Sequence, residues 1–447
     1  MIGRPATSRP ARRGFALIAV LWVVTIAGLI LLGAKRAARV NLAVAHGELG
    51  RVQAHWLARA GIEQALAILE DDGTAVDSMP DTWYDDPLSF EDVELVGGSF
   101  SVTAPPAEGA DPRVPRCGLI DHASRVDLNA ADEKQLSQLA ELTESQVDAI
   151  LDWRDGDDQA RPGGAEGGFY QHLKFPYQIR NGPFRTLHEL LLVRGIDEPT
   201  FYAEDANLNG ILDANEDDQG KSPPEDDGDG QLKLGLAGLV TVYAYELNKD
   251  AQGNDRLNLN SADKATLMKQ LDFTDALADA VVKRRGQKKF QKLMDLLEVK
   301  AAGQQTGPRG GEKDAGKVNE ITLKWLAEHL DEITVSDEKR LPGRINVNTA
   351  GREVLLTLPE MTKDTAEAIM ARRAAAAGPF RGVGELFTSN TVSESQFRAL
   401  AERVTVRSNV FEIRSSARTD WGIRQSIVAI VDRGAQPMAI LYWYQSE

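Results

Sequence analysis

A single uncharged apolar segment near the amino terminus constrains this chain more than any other feature. It runs from Phe15 to Leu32, and Thr25 supplies its only hydroxyl group. At a rise of 1.5 Å per residue, about 20 helical residues cross the ~30 Å hydrocarbon core of a bilayer. A helix on the surface of a soluble protein would show one polar face. We therefore expect residues 15–34 to form a transmembrane helix.

The residues before this segment indicate a leader. Residues 1–14 carry four arginines and no acidic side chain, and they end on Gly14 directly before Phe15. Positive charge keeps this end in the cytoplasm, so the bulk of the chain is expected on the other side of the membrane. A secretory signal peptide would be followed by an unrelated domain, whereas this apolar run passes directly into a longer helical pattern.

The helical pattern continues well beyond the membrane segment. We expect one helix from about Phe15 to about Leu69, ended by Asp71, Asp72 and Gly73. Apolar residues at steps of three and four predict an amphipathic second half, with charged side chains on the opposite face. The residues predicted to form its apolar face are Leu49, Val52, Trp56, Ala60, Ile62, Leu66 and Leu69.

The leader, its final glycine and the apolar helix together resemble the class III signal of type IV pilins and type II secretion pseudopilins. In that family a dedicated peptidase cuts after the glycine, and the new amino-terminal aromatic residue is methylated. The resemblance implies cleavage after Gly14 and N-methylation of Phe15. The family usually has Glu at the fifth mature residue, where this sequence has Ala19. In this respect the sequence resembles the minor pseudopilin K family, GspK, which is associated with the tip of the fibre.

Strand patterns lie on both sides of a long middle region. The predicted strands are 98–103, 118–127, 404–407, 410–414, 426–431 and 438–444. Pilin-like subunits pack their long helix on an antiparallel sheet, so the resemblance implies an α+β fold. Residues 35–125 and 403–447 would then form one pilin-like domain, and residues 126–402 a large inserted α-helical domain.

The predicted insertion contains an internal repeat. Its three openings are Val126–Ala131, Leu257–Ala262 and Ile345–Ala350. A helical pattern follows each opening, and these patterns end in Arg154, Arg285 and Arg373. Each repeat continues with a phenylalanine and a further helix, and these residues are Phe184, Phe290 and Phe380. The side chains expected to cap the helix starts are Asn129, Ser261 and Thr349.

The repeat resembles helix-hairpin-helix and SAM-like modules, which raises the alternative of a membrane-anchored protein that binds DNA during uptake. The hairpins of DNA-binding modules are rich in glycine, so that backbone N–H groups can approach a phosphate. The hairpins here, at 141–145, 272–276 and 360–364, carry acidic residues that would repel phosphate. Arg285 and Arg373 are candidate phosphate contacts, although salt bridges to nearby acids explain them equally well.

Residues 205–216 match the twelve-residue EF-hand calcium loop. The expected ligands are Asp205, Asn207, Asn209, the backbone carbonyl of Ile211, Asp213 and Glu216. Gly210 allows the sharp turn, and Leu212 would anchor the loop to the core. An acidic, solvated loop is the alternative. A half-loop follows, with Glu225, Asp227 and Asp229 but no closing Glu, and residues from elsewhere would have to complete a second calcium site.

Composition excludes several classes of function. The net charge of −16 argues against a duplex nucleic acid partner, because phosphate binding depends mainly on Lys and Arg. One cysteine, Cys117, excludes an intramolecular disulfide. The six histidines are scattered, and no nucleophile, zinc or phosphate-binding motif occurs, so we predict that the protein is not an enzyme. Residues 155–168 and 301–317 are expected to be mobile loops without a motif.

The resemblance implies a minor pseudopilin of the type II secretion system, capping the tip of the periplasmic pseudopilus and taking part in protein export across the outer membrane. Such a protein would cross the inner membrane once and keep most of its chain in the periplasm. The implied partners are other minor pseudopilins in a tip complex, the pseudopilus, the inner-membrane assembly platform, the prepilin peptidase and exported proteins.

Overall fold

The computed structural model describes residues 13–73, 75–139, 142–301 and 316–446. Outside these ranges lie most of the leader predicted at 1–14, Glu141 of the first predicted hairpin and most of the loop predicted at 301–317.

The first helix, α1, extends from Arg13 to Asp71 without a break, which confirms the prediction of one long helix. Its apolar segment has a mean hydropathy of 2.8 and is not covered by any other part of the described chain. Phe15, for example, is 77% exposed. The helix is therefore long and apolar enough to cross a membrane.

A short helix and three strands follow α1. These elements are α2 (Pro87–Phe90), β1 (Val93–Leu95), β2 (Gly98–Val102) and β3 (Ile120–Asp121). The strand predicted at 98–103 is confirmed. The strand predicted at 118–127 is wrong for most of its length, because the Asp121 carboxylate accepts a hydrogen bond from the Ala123 N–H (2.7 Å) and a turn begins there.

The middle of the chain is mostly helical and contains three modules, each of which begins with a short strand, continues with helices and ends with a second short strand. The first module contains β4 (Val126–Asp127), α3 (Glu133–Leu136), α4 (Glu144–Arg154), α5 (Gly167–Gln171), α6 (Glu198–Tyr202), α7 (Leu236–Leu239) and β5 (Val240–Thr241). After β6 (Tyr245–Leu247), the second module contains β7 (Leu257–Asn258), α8 (Lys264–Gln270), α9 (Asp275–Gln287), α10 (Leu323–His329) and β8 (Ile333–Thr334). After β9 (Arg340–Pro342), which pairs with β6, the third module contains β10 (Ile345–Asn346), α11 (Arg352–Leu356), α12 (Lys363–Ala374), α13 (Glu385–Thr388), α14 (Glu394–Leu400) and β11 (Val404–Thr405).

Each module is closed by its own two-stranded parallel ladder, in which the repeat opening pairs with the end of the module. The paired strands are β4 with β5, β7 with β8, and β10 with β11. The predicted internal repeat is therefore confirmed as a repeat of structure, while its likeness to helix-hairpin-helix or SAM-like modules stays a prediction. The strand predicted at 404–407 was expected to join the carboxyl-terminal strands, and this was wrong, because Val404 and Thr405 close the third module instead.

The predicted caps of the repeat helices were wrong. Asp132 and Asp263 cap α3 and α8, three or two residues beyond Asn129 and Ser261. Thr349 donates instead to the Asp121 carboxylate (2.6 Å). An aspartate is better placed because its carboxylate reaches the free N–H groups of the first helical turn directly.

The carboxyl terminus supplies the rest of the main sheet through β12 (Val410–Thr419), β13 (Arg424–Asp432) and β14 (Ala439–Ser446). Within the described ranges this sheet has six antiparallel strands in the order β1-β2-β12-β13-β14, with β3 also paired to β12. Both ends of the chain thus meet in one sheet, and α1 packs on it. The fold is α+β, as predicted, whereas the domain boundaries at 125/126 and 402/403 stay predictions.

The face of α1 that packs on the sheet differs in part from the predicted face, of which Ile62 and Leu69 are buried as predicted. The buried residues of α1 are Gly50, Ala54, Leu57, Ala58, Gly61, Ile62, Ala65 and Leu69. Leu49, Val52 and Trp56 are exposed, and Trp56 lies about 200° from Ala54 around the helix axis. The prediction was wrong here because it followed the largest apolar residues, whereas the sheet packs closely against small ones. A Cβ on Gly61 would lie 2.9 Å from the ring of Phe100.

Candidate functional site

The loop at 205–216 folds around its predicted ligand side chains. Asp205 accepts hydrogen bonds from the N–H groups of Asn209 (2.9 Å) and Gly210 (3.0 Å). The side-chain amides of Asn207 and Asn209 both donate to one carboxylate oxygen of Asp213 (2.8 and 2.9 Å). Four of the five side chains predicted as ligands, Asp205, Asn207, Asn209 and Asp213, thus form one connected cluster.

Glu216 closes the loop from its last position. Its carboxylate accepts hydrogen bonds from the N–H groups of Ala206 (3.1 Å) and Asp213 (3.0 Å), so it reaches back to the loop's first residues. Ile211 donates its N–H to the Asn209 side chain (2.6 Å), which holds the middle of the loop in a tight turn. This arrangement places the predicted closing ligand beside the predicted first ligand.

Two further residues of the loop behave as the calcium-loop pattern predicts. Gly210 has a φ of +69°, a left-handed conformation that glycine adopts without strain. Leu212 is buried, and its N–H donates to the carbonyl of Pro112 (2.9 Å). The loop is therefore attached to the segment between β2 and β3, and Arg113 of that segment also pairs with Asp217.

The loop carries two buried carboxylates. Asp205 is 3% exposed and Glu216 is 1% exposed. Burial raises the pKa of both side chains, because removal from water disfavours the ionised form. A hard cation with oxygen ligands would offset this cost, and the donor set of carboxylates, amide oxygens and one backbone carbonyl suits calcium.

The half-loop is only partly assembled. Asp227 accepts a hydrogen bond from the N–H of Asp229 (3.1 Å), but no hydrogen bond joins Glu225 to either residue in the part of the chain that the structure describes. Other acids approach this segment instead. Asp217 accepts from the N–H of Gly230 (3.1 Å), and Asp226 accepts from the N–H groups of Gln219 and Gly220, a contact that the sequence did not suggest.

A third group of acids was missed entirely by sequence reasoning. Asp152, Asp155 and Glu166 each place a carboxylate oxygen within 4.8 Å of the others, at the end of α4 and the start of α5. Burial and the charges of nearby aspartates, Asp152 foremost, raise the pKa of Glu166 to about 7. The segment 155–168, expected to be a mobile loop without a motif, therefore contains an organised cluster.

The repeat arginines are used within their own modules. Arg373 is buried, and its guanidinium donates to the carbonyls of Val347 (2.8 Å) and Ala350 (2.7 Å) at the opening of its repeat. Arg285 donates to the carbonyl of Leu259 (2.7 Å) in the same way. In each arginine one guanidinium nitrogen thus binds backbone carbonyls, and neither arginine forms a salt bridge among the described residues.

Models of one protein family match two segments of the chain. Both are described as Type II secretion system (T2SS), protein K, and they match residues 124–203 and residues 345–407. These segments are the first part of the first module and the whole of the third. The chain belongs to the type II secretion system protein K family. Members of this family are minor pseudopilins and structural components of the secretion machinery.

A search of solved structures also found matches. One of them is described as the crystal structure of the GspK-GspI-GspJ complex from enterotoxigenic Escherichia coli Type 2 Secretion System. It has a TM-score of 0.47 and 12% sequence identity, and the match covers 90% of this chain and 99% of that chain. No curated protein sequence matches the chain significantly.

Beyond its apolar segment, α1 leaves one face free within the described chain. Leu42, Leu49, Val52 and Trp56 lie along one side of α1, and each is more than half exposed. Their spacing of seven, three and four residues keeps them on one stripe of the helix. We call these four residues the outer stripe of α1, because they lie opposite the face that packs on the sheet.

Proposed function

We propose that this protein is a minor pseudopilin at the tip of the periplasmic pseudopilus, where it takes part in protein export across the outer membrane. Its role is structural and not catalytic. It is anchored in the inner membrane by α1 and keeps the sheet and the three modules in the periplasm. Its partners are other minor pseudopilins, comparable to the GspI and GspJ named above, together with the pseudopilus, the assembly platform, the prepilin peptidase and exported proteins.

The outer stripe of α1 is the observation that carries this proposal. An apolar stripe of about four helical turns has no partner within the described chain, although the helix already buries its other face on the sheet. Repeats of three and four residues are the spacing with which one helix packs against another. The apolar residues from Phe15 to Leu32 extend this surface into the membrane, so the same helix serves as an anchor before assembly and as a packing surface afterwards.

Two features support a position at the tip. Ala19, at the fifth position after the predicted cleavage site, is exposed and cannot form the ion pair that Glu makes with a neighbouring subunit's amino terminus in related pilins. The three modules comprise residues 126–405, and Asn346 and Arg407 donate hydrogen bonds to the carbonyls of Asp77 and Ala75, just beyond the end of α1 that is farther from the apolar segment. A subunit of this bulk would block the addition of another subunit above it.

Co-purification tests the partner proposal. The full-length chain, extracted in detergent with candidate minor pseudopilins of the same secretion system, is expected to form a complex that Trp56→Lys weakens at least tenfold. Gln64→Lys introduces the same charge at an exposed position away from the outer stripe and should leave the complex intact. Equal recovery of partners with both variants would contradict the role of the stripe.

Labelling of assembled fibres tests the tip position separately. A tag on an exposed loop of the second module should be detected once per pseudopilus and at one end. Labels distributed along the fibre would show that the protein is an ordinary subunit, while membership of the protein K family would stand.

We also propose that the loop at 205–216 binds calcium through Asp205, Asn207, Asn209, the carbonyl of Ile211, Asp213 and Glu216. The ion would neutralise two buried carboxylates and fix the loop on the segment around Pro112. The half-loop residues Glu225, Asp227 and Asp229 are proposed ligands of a second ion. Asp217 and Asp226 lie in the same region, where they accept hydrogen bonds from the N–H groups of Gly230 and Gln219.

Melting with and without a chelator tests the calcium proposal. Calcium at a hundredfold excess over its Kd stabilises a folded protein by about 2.7 kcal/mol, so the melting temperature should fall when calcium is removed. Glu216→Gln should abolish most of this difference, whereas Glu338→Gln, an exposed glutamate outside the loop, should not. A melting temperature that is independent of calcium, with no ion detected by calorimetry, would contradict the proposal.

Processing is proposed at Gly14, followed by methylation of Phe15. Phe15 begins the apolar part of α1, and its exposed side chain and position at the start of the helix are compatible with cutting at this point. Mass spectrometry of the membrane form should find methylated Phe15 at the amino terminus. Retention of Met1 in the assembled form would overturn this step.

A further inference from the structure

The acidic cluster of Asp152, Asp155 and Glu166 has the geometry of a cation site. One carboxylate oxygen from each residue lies within 4.8 Å of the other two. Two oxygens that share a calcium ion at its usual bond length of 2.3–2.6 Å can be separated by at most about 5 Å. The three oxygens are therefore close enough together to be ligands of one ion.

Glu166 provides an independent indication of a missing ligand. It is 7% exposed, and both of its carboxylate oxygens are buried without a hydrogen-bond partner among the described residues. Its position before α5 is that of a helix cap, but its side chain makes no capping hydrogen bond. A buried polar group without a partner costs about 1–3 kcal/mol, and more if it is charged. Since the side chain faces two other acids, a cation is the group that would satisfy it.

The neighbouring backbone is arranged to keep these carboxylates in place. Asp152 accepts a hydrogen bond from the N–H of Arg161 (3.1 Å). Gly164 approaches Asp152 so closely that a Cβ there would lie 2.0 Å from a carboxylate oxygen. Asp155 accepts from the N–H of Asp157 (3.3 Å). Two of the three acids are therefore held by the loop itself, and the glycine allows the loop to close around them.

The spacing of the acids repeats that of the predicted calcium loop. Asp155 and Glu166 are the first and twelfth residues of a twelve-residue segment, as Asp205 and Glu216 are. In the segment 155–166, Asp157 and Gln159 carry oxygens at the third and fifth positions, and the carbonyl of Arg161 stands at the seventh. The segment lacks glycine at the sixth position, and Asp152 from α4 adds an acid that the standard pattern does not contain.

Arg161 is the only cationic side chain that forms an ion pair with the three acids within the described residues. Its Nε lies 3.6 Å from Asp152, but the side chain is substantially exposed and also pairs with Glu133 (3.4 Å). It does not reach Glu166, which has no partner. One partly solvated guanidinium therefore leaves most of the negative charge of the cluster uncompensated.

We propose that Asp152, Asp155 and Glu166 bind a calcium ion at a site separate from the loop at 205–216. The ion links the end of α4, through Asp152 and Asp155, to the start of α5, through Glu166. It thereby fixes the two ends of the segment between these helices. Backbone carbonyls of the segment and water complete its coordination, since calcium accepts six to eight oxygens in irregular geometry. The first module thereby contains two calcium loops, one after α4 and one after α6.

Calcium binding by the full-length chain in detergent, measured by calorimetry after removal of bound metal, tests this proposal. Glu166→Gln is expected to reduce the number of calcium ions bound per chain by one, whatever the loop at 205–216 holds. Asp155→Asn should weaken the same site at least tenfold. Glu144→Gln, an exposed glutamate in the first turn of α4, should bind as many ions as the wild type.

The stability of the metal-free protein supplies a second readout. Without metal, Glu166→Gln should melt at the same temperature as the wild type or higher, because a neutral amide relieves the repulsion between buried carboxylates. Calcium should then raise its melting temperature less than that of the wild type.

An unchanged number of calcium ions bound to Glu166→Gln, with affinities within twofold of the wild type, would overturn the site and leave Arg161 as the counterion of the cluster. The parallel variant Glu216→Gln distinguishes this failure from failure of the proposed loop at 205–216.

Discussion

At the scale of single residues, one asparagine holds each module together. Asn348 donates its side-chain amide to the carbonyl of Phe380 (2.9 Å) and accepts from the N–H of the same residue (2.9 Å). Asn129 makes the same pair of bonds to Phe184, and Asn260 to Phe290. The repeat opening is thus tied to the segment that follows the second helix, in all three modules.

Replacement of this asparagine is expected to destabilise the protein according to its burial. Asn348→Leu leaves the N–H and C=O of Phe380 buried without partners, which should cost about 3 kcal/mol. Asn129→Leu should cost less, because Asn129 is only partly buried and water can reach the freed groups. Urea unfolding of the full chain measures both free energies. Equal losses for the two variants would contradict the importance of burial at this clamp.

The sequence predicted the repeat but not the function of its individual residues. Asn129 and Phe184 lie 55 positions apart, and their pairing is not visible in any local pattern. The same holds for Arg373, whose carbonyl partners lie more than 20 positions earlier. The loop at 205–216 could be predicted as a calcium site because all its expected ligands lie within twelve residues. Glu166 was missed because the segment 155–166 lacks the glycine of that pattern, and because Asp152, the third acid of the cluster, lies outside the segment in α4.

At the scale of elements, α1 is apolar on two opposite sides. Its length could be predicted from the uninterrupted helical pattern, but the side that meets the sheet could not. Small residues allow the strands to approach the helix closely, whereas the large residues of the outer stripe remain exposed. Gly and Ala contribute little to a hydrophobicity pattern. The pattern therefore does not show that the side of α1 with these small residues is the one that packs on the sheet.

Two glycines of α1 are expected to respond in opposite directions to the same substitution. Gly47 is open, with no atom within 4 Å of an added Cβ, so Gly47→Ala should stabilise the helix by up to about 1 kcal/mol. An added Cβ on Gly61 would lie 2.9 Å from Phe100 and 2.2 Å from Ser415, so Gly61→Ala should destabilise the protein by about 1–3 kcal/mol. Thermal melting of both variants in detergent makes the comparison. Stabilisation by both substitutions would show that the sheet is not packed tightly on α1.

At the scale of the whole molecule, buried ion pairs join the ends of the chain to the inserted modules. Glu246, which follows the first module, contacts three arginines: Arg256 (2.5 Å), Arg344 (2.6 Å) and Arg407 (3.5 Å). Arg407 also donates to the carbonyl of Ala75 (2.9 Å), directly after α1. These partners are separated by up to 332 positions in the sequence, which is why no pattern in the sequence could predict them.

The charge on Glu246 is expected to make the stability of the whole molecule sensitive to acid. Burial acts to raise the pKa of Glu246, but the charges of Arg344, Arg256 and Arg407 together lower it from 4.5 to about 2. Because the folded pKa is the lower one, the stabilisation is fully present above pH 4.5 and is lost as the pH falls towards 2. The shift corresponds to about 3 kcal/mol at neutral pH.

Glu246→Gln should therefore lower the free energy of unfolding at pH 7 by about 3 kcal/mol, since Arg344 loses its acidic partner and the buried Arg256 and Arg407 keep only the partly exposed Asp331. The difference in stability between the two proteins should narrow as the pH is lowered from 4.5 to 3. In this range unfolding of the wild type takes up a proton on Glu246, which destabilises its folded state, whereas the glutamine of the variant binds no proton. Urea unfolding at pH 7, 4.5 and 3 measures this, with Glu338→Gln as an exposed control that should follow the wild type. A difference that stays constant down to pH 3 would mean that the arginines are compensated by other groups, and that Glu246 does not hold the modules to the ends of the chain through its charge.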